Sequence, residues 1–224
     1  GRVLSAAGAQ VSREFYVNDR GNQMDLFGAS IRAAALGKAR PEDGYHGEYI
    51  EDLAKEIVKS NPQITQLAES ESISAFTQAG YKLQLEQQRK VLDNFGTHFD
   101  TWFSERSLYE DNFFNHSLDK LKKEGHVFEQ EGAIWLRTTD FGDDKDRVMI
   151  KSDGTFAYFA SDSAYYVSKR ERGFNLCIYM LGADHHGYVG RIKALAACAG
   201  NDPEKDVEVL IGQMVKIIED GAEL

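Results

Sequence analysis

The feature that most constrains this chain is a strand–helix–strand signal near its C-terminal end. "LCIYMLG" (176–182) is a continuous apolar run, residues 187–199 read as a helix, and "VEVLIGQMV" (207–215) is a second apolar run. Strands joined through a helix pair in parallel, because a tight turn can only return the chain antiparallel. Apolar runs without alternation predict strands buried on both faces. Upstream, "QVSREFYVN" (10–18) is β-rich, Met24, Phe27, Ile31 and Ala35 recur at helical spacing, and "HFDTWFSE" (98–105) reads as a short aromatic strand. Strands alternating with helices predict an α/β fold built on a doubly wound parallel sheet.

Two stretches interrupt that pattern. Residues 37–47 form a loop rich in Gly, Pro and Asp, followed by polar helical stretches at 48–60 and 72–94. A helix over 112–124 places Phe114, Leu118 and Leu121 on one face, with Gly125 as its cap. "VFEQEGAIWL" (127–136) predicts a hairpin turning at Glu131 and Gly132, and "RVMIKSDGTFAYFA" (147–160) a second one turning at "SDG". A helix over 161–172 would take Ser161 as its cap. The expected organisation is a first core segment (1–38), a helical insertion (39–95), a core strand and helix (96–126), a hairpin-rich connective insertion (127–160) and a second core segment (161–224).

Composition narrows the partners. The chain has 42% hydrophobic residues and a formal net charge of −10. That balance argues against a basic nucleic-acid-binding face, so no DNA partner is expected. No apolar run approaches the roughly 20 residues of a membrane span, and no secretory signal is visible. Cys177 and Cys198 sit in apolar surroundings and read as buried reduced thiols, which fits a cytoplasmic setting. Both ends read as cut: "GRVLSAAGAQV" resembles the tail of a helix and "EDGAEL" an unfinished hairpin, so an excised core is expected.

Three constellations carry possible chemistry. The first is "YMLGADHHGYVGR" (179–191). As a metal site it is poor, since adjacent histidines project apart and no H-x-x-x-H or C-x-x-C pair exists. As a manganese-dependent DHH phosphoesterase centre it lacks the further aspartates such enzymes place on earlier strands. As a nucleotide turn it fits: a glycine lets ligand approach the backbone, an aspartate two residues later accepts from ribose hydroxyls, and a helix N-terminus follows. The second is "YFASDSAYY" (158–166), where Tyr158 is read as ending a strand and Asp162 as lying in the first turn of the next helix. A carboxylate there either complements the helix dipole or faces a guanidinium. The third, "GAIWLRTTDFGDDKDRVMIKSDG" (132–154), carries a charged loop over 140–147 that reads as a solvated turn. The basic clusters "KLKK" and "SKRER" read as helix surface.

With these stretches in order, the chain resembles the arginyl-tRNA synthetases, class I aminoacyl-tRNA synthetases, and a bacterial subgroup most closely. The resemblance rests on "VSREFYVNDRGNQMD", "WLRTTDFGDDKDRVMIKSDG", "AYFASDSAYYVSKRERGFNLCIYMLGADHHGYVGRIKA" and "VEVLIGQMV". Residues 41–94 match more loosely. The resemblance implies a Rossmann-like core that activates L-arginine with ATP and Mg2+ to arginyl-adenylate and transfers it to tRNA(Arg). It implies Tyr158 and Asp162 in the arginine pocket, with Asp162 facing the guanidinium. It implies Gly182 and Asp184 at the adenylate ribose, and His185 beside the substrate, where some members carry Gln. Asn18 and Asp19 lie near the cleft by fold logic alone.

Two elements of the family are missing from the sequence, H-I-G-H and K-M-S-K-S, which handle ATP phosphates. No catalytic residue and no protein metal ligand is therefore assigned within this chain, and the isolated chain is expected not to aminoacylate. The alternatives are a non-catalytic arginine-binding module and, further off, the DHH-type phosphoesterase.

Overall fold

Two parallel strand pairings, in keeping with the expected α/β class, form in a computed structural model, which describes residues 1–110 and 112–223. The chain divides into two compact units, Gly1–Ser107 and Leu108–Leu224.

In the first unit a short helix, α1 (Arg2–Ala6), leads to β1 (Glu14–Val17). Three helices follow: α2 (Asn22–Ala35), α3 (Tyr49–Ser60) and α4 (Glu69–Asn94), with a 3-10 turn at Pro62–Gln66. Then β2 (Thr101–Ser104) returns beside β1, Glu14 opposite Thr101 and Val17 opposite Ser104. The Asp100 carboxylate accepts from the Arg13 backbone N–H at 2.8 Å and from its guanidinium at 3.1 Å, which fixes the register just ahead of the strands.

The predicted helical insertion shares one core with α2. Phe27 and Ile31 of α2 pack with Ile50, Leu53 and Ile57 of α3, with Ile64, and with Phe76 of α4. Helix α4 approaches α2 closely because two helical positions lack side chains. A Cβ at Gly28 would overlap Thr77 Oγ1 and stand 2.8 Å from the Ile73 carbonyl oxygen; one at Gly80 would overlap Ile31 and stand 3.1 Å from the Phe27 ring. Mid-helix glycine costs about 1 kcal/mol relative to alanine, and here the close approach accounts for it.

A single turn, α5 (Ser107–Glu110), precedes α6 (Phe113–Lys123), which buries Phe114, Leu118 and Leu121. An antiparallel sheet follows, in the order β3 (Val127–Gln130), β4 (Ala133–Leu136), β5 (Arg147–Ile150). Its first turn has positive φ at both Glu131 and Gly132, the geometry that matches strand twist. The remainder is α7 (Tyr158–Glu171), β6 (Cys177–Gly182), α8 (Tyr188–Cys198), β7 (Val207–Gly212) parallel to β6, and a closing hairpin of β8 (Ile218–Glu219) and β9 (Ala222–Glu223). Both cysteines are buried and reduced. Burial pushes the Cys198 thiol up to about 12. Among the described residues no helix is long and apolar enough to cross a membrane.

Four expectations are corrected. Strands β6 and β7 are not buried on both faces: Cys177 and Val207 are, but Met180 is 80% exposed and Ile178 and Leu210 are open as well. Among the described residues each strand pairs only with the other, and a two-stranded ribbon cannot cover both its faces. The "SDG" turn forms, with the Lys151 N–H donating to the Thr155 carbonyl at 2.8 Å, but its return arm is the single bridge Ile150–Phe156. Tyr158 therefore opens a helix instead of ending a strand, and Asp162 falls in the second turn. Ser161 is no cap; it is buried inside the helix and shares a 3.1 Å hydrogen bond with the Tyr109 hydroxyl. Finally, the charged loop 140–147 is not simply solvated. Arg147 donates to Asp143 at 2.7 and 2.6 Å and also to Asp144, and the Arg147 and Asp143 side chains are only 9% and 4% exposed.

Two outcomes follow from this packing. Gly28→Val forces α4 away from α2 and lowers stability by about 2–3 kcal/mol, read as a lower urea midpoint; an unchanged midpoint contradicts the close approach. Burial pushes the Asp143 carboxyl up, but the bonds from Arg147, Asp144 and Thr138 outweigh it and hold it at about 2, against 3.8 ordinarily. A depressed carboxyl stabilises fully above its unfolded pKa, and the gain disappears as pH falls through the folded one. The stability advantage of the native chain over Asp143→Asn, on the order of 2 kcal/mol at neutral pH, should shrink between about pH 4 and pH 2.

Candidate functional site

Helix α7 has two faces with different tasks. One face buries Ser163, Ala164, Tyr166 and Val167. The Tyr166 hydroxyl, inside the fold, donates to Asn201 Oδ1 at 2.7 Å, so the buried phenol is satisfied and the helix is tied to the turn after α8. The other face carries Tyr158, Asp162, Tyr165 and Lys169, spaced four, three and four residues apart, which puts them in one stripe.

That stripe meets β6. The Lys169 ammonium lies 3.8 Å from the centroid of the Tyr165 ring and 3.9 Å from that of Tyr179, so it is sandwiched between a helix aromatic and a strand aromatic. Burial pushes the Tyr179 phenol well above its ordinary value, and Cys177, Tyr165, Tyr166 and Asp162 push it the same way. Asp162 is half-buried, while Tyr158 is exposed at the head of the helix. A carboxylate here suits a cation, and a planar one best, because a guanidinium can bond both carboxylate oxygens.

The strand ends at the predicted turn. Gly182 stands opposite Gly212 of β7, so both strands finish in glycine at the same level. A Cβ at Gly182 would come within 2.5 Å of Asp184 Oδ1: the bare glycine gives room for the carboxylate to fold back over the strand end. Residues Ala183–His185 make a 3-10 turn leading to α8. Within it Asp184 is exposed and lies 3.4 Å from His185 Nε2. The His185 ring meets Tyr188 edge-on at 5.3 Å, and the Arg191 guanidinium stacks over Tyr188 at 4.3 Å. The result is an open carboxylate beside an imidazole, at the carboxyl end of a parallel strand where α/β folds bind nucleotides.

Tyr158, Asp162, Gly182, Asp184 and His185 therefore all belong to the second unit. Asn18 and Asp19 belong to the first. Asn18 is exposed; Asp19 is buried and accepts from Ser104 Oγ at 2.5 Å, from the Arg106 N–H at 3.0 Å and from the Tyr81 hydroxyl at 3.1 Å. It locks the ends of β1 and β2 to α4, and it lines a cleft of about 620 Å³ with Arg20, Gln78 and Arg106. Among the described residues no group of three or more His, Cys, Asp or Glu side chains is arranged to hold a metal ion.

Sequence reasoning missed Tyr165, Lys169 and Tyr179. It assigned "SKRER" to helix surface, yet Lys169 sits between two rings, and Arg170 donates to the Phe174 carbonyl at 2.9 Å and to Asp206 at 3.3 Å. The four-three-four spacing that joins Lys169 to Asp162 was present in the sequence; the partner ring on β6 was not.

Comparison with known proteins identifies the family. Residues 1–222 match the family described as tRNA synthetases class I (R), catalytic domain. The chain is 52% identical over 216 residues to an arginine–tRNA ligase of Renibacterium salmoninarum, covering 96% of this chain and 39% of that protein. It is 49% identical over 223 residues to the arginine–tRNA ligase of Paenarthrobacter aurescens, covering 100% and 40%. A crystal structure from Campylobacter jejuni, provisionally named an arginyl-tRNA synthetase, superposes with a TM-score of 0.88 at 38% identity over 100% of this chain and 50% of that one. The Thermus thermophilus arginyl-tRNA synthetase, at 19% identity and a TM-score of 0.60, shares the fold, including its Rossmann-like α/β character. The chain spans about 40% of the length of the curated relatives it matches. A family match that runs from residue 1 to residue 222, with half the residues identical in curated relatives, makes this chain a member of the class I arginyl-tRNA synthetase catalytic-domain family.

Proposed function

We propose that this chain supplies the amino-acid and ribose half of an arginine–tRNA ligase active site. The observation that carries the reading is that α7, which bears Tyr158 and Asp162 one turn apart, reaches through Lys169 to Tyr179 of the strand that ends in the Gly182–Asp184 turn. Asp162 would accept the arginine guanidinium in charge-assisted bonds, with Tyr158 at the pocket mouth. Asp184 would accept from the ribose hydroxyls over the bare Gly182, and His185 would sit beside the substrate. Asn18 and Asp19 would be cleft residues of the first unit itself.

In the longer protein the reaction would be ATP-dependent activation of L-arginine to arginyl-adenylate, followed by transfer to tRNA(Arg), with Mg2+ carried on the nucleotide and the cytoplasm as its setting. The phosphate-handling motifs H-I-G-H and K-M-S-K-S do not occur in this sequence. Electrostatic stabilisation of that developing charge is commonly the largest catalytic contribution, so this chain alone would bind without turning over. Residues 39–95 would serve as a helical insertion and 127–160 as a connective one between core segments 1–38, 96–126 and 161–224. Neither a free-standing arginine sensor nor a DHH-type phosphoesterase gains an observation: the curated relatives named above are arginine–tRNA ligases.

Calorimetric titration tests the assignment. L-arginine should give saturable heat and L-lysine much less. Asp162→Ala should weaken arginine by about 10- to 100-fold, the worth of a bond to a charged group, whereas Asp119→Ala, an exposed carboxylate on α6, should leave it unchanged. Manganese-dependent dinucleotide binding without arginine binding would contradict the reading.

A further inference from the structure

We propose that Lys169 determines specificity at this site: its ammonium fills an aromatic cage made by Tyr165 and Tyr179 that would otherwise accept the ammonium of a lysine-like ligand. The inference rests on the reading of Asp162 as the partner of the ligand's cationic end.

A carboxylate by itself discriminates poorly between arginine and lysine, because its charge attracts either cation. Two ring faces beside it make matters worse. An ammonium within about 6 Å of a ring centroid is attracted by the ring's negative face, and more strongly when water is excluded. Here two such faces stand 3.8 and 3.9 Å from a single nitrogen position. That position lies on the same helix stripe as Asp162. Left empty, the cage would be a ready seat for a compact alkylammonium.

Lys169 occupies that seat. It is one helical turn from Tyr165, so α7 itself holds the ammonium over the first ring while β6 supplies the second. A resident positive charge repels a second ammonium, which is discrimination by a built-in unfavourable contact. Arginine tolerates the arrangement better. Its planar guanidinium bonds a carboxylate with two parallel N–H groups, is weakly hydrated, and does not need the cage.

The test uses this chain with Lys169→Ala, Lys169→Gln and Lys169→Arg, each checked by thermal melting. Methylammonium is titrated calorimetrically into all of them, and L-arginine and L-lysine are titrated with and without it. Lys169→Ala should bind methylammonium saturably, while the native chain and Lys169→Arg should not. The arginine-to-lysine affinity ratio should fall at least tenfold in Lys169→Ala and recover when methylammonium saturates the cage. If Lys169→Ala melts too low to titrate, Lys169→Gln, which keeps a stem and removes the charge, should show the same loss of discrimination. Equal methylammonium response in native and variant chains overturns the proposal. So does parallel weakening of both amino acids with their ratio unchanged, which would mark Lys169 as a structural tie between α7 and β6. Failure of the underlying reading shows separately, as native arginine affinity retained in Asp162→Ala, and the methylammonium arm reports on the cage regardless.

Discussion

The site depends on one helix being held rigidly by its hidden face. Tyr166 is fully buried in α7, and its hydroxyl reaches Asn201 at 2.7 Å. A buried phenol without a partner would be costly; with one, it fixes both the depth and the rotation of the helix. That rotation decides where the opposite stripe points. Because Tyr158, Asp162, Tyr165 and Lys169 share one face, a rotation of α7 would move the carboxylate, the aromatic wall and the resident cation together. The hydrogen bond from Arg170 to Asp206 and those to the carbonyls of Phe174 and Asn175 hold the C-terminal end of the helix in the same way.

The strands supply a second constraint. Parallel strands finish at a common level, and here both finish in glycine, Gly182 against Gly212. The absent side chain at Gly182 is what lets Asp184 lie back over the strand end within the 3-10 turn. The first unit solves its own packing problem by the same device: Gly28 and Gly80 give up side chains so that α4 can lie against α2. In one place the missing Cβ makes room for the Asp184 carboxylate, in the other for a helix.

Much of this was legible from sequence because its causes are local. The turn at Glu131–Gly132 follows from a glycine between two apolar runs, and α2 and α6 follow from the spacing of apolar residues. The glycine and aspartate of "LGADHHG" needed only a strand before them and a helix after. What escaped has causes far apart in the chain. Ser161 looked like a cap, but a bond from the Ala157 N–H to the Met149 carbonyl at 2.9 Å starts the helix three residues earlier. The loop 140–147 looked solvated because charge normally is, yet Arg147 and Asp143 satisfy each other inside the fold. Lys169 looked like surface because Tyr179, which completes its cage, comes from another element. Composition and spacing reveal which residues share a face, not what the face meets.

The central claim is that the α7 stripe and the turn after β6 form one ligand site. Hydrogen–deuterium exchange of this chain, with and without a non-hydrolysable arginyl-adenylate analogue, tests it most directly. The account predicts slower exchange in the peptides covering residues 158–169 and 179–186, with residues 49–94 unchanged. Protection confined to any other segment, or saturable analogue binding that leaves both of these segments unprotected, would contradict it.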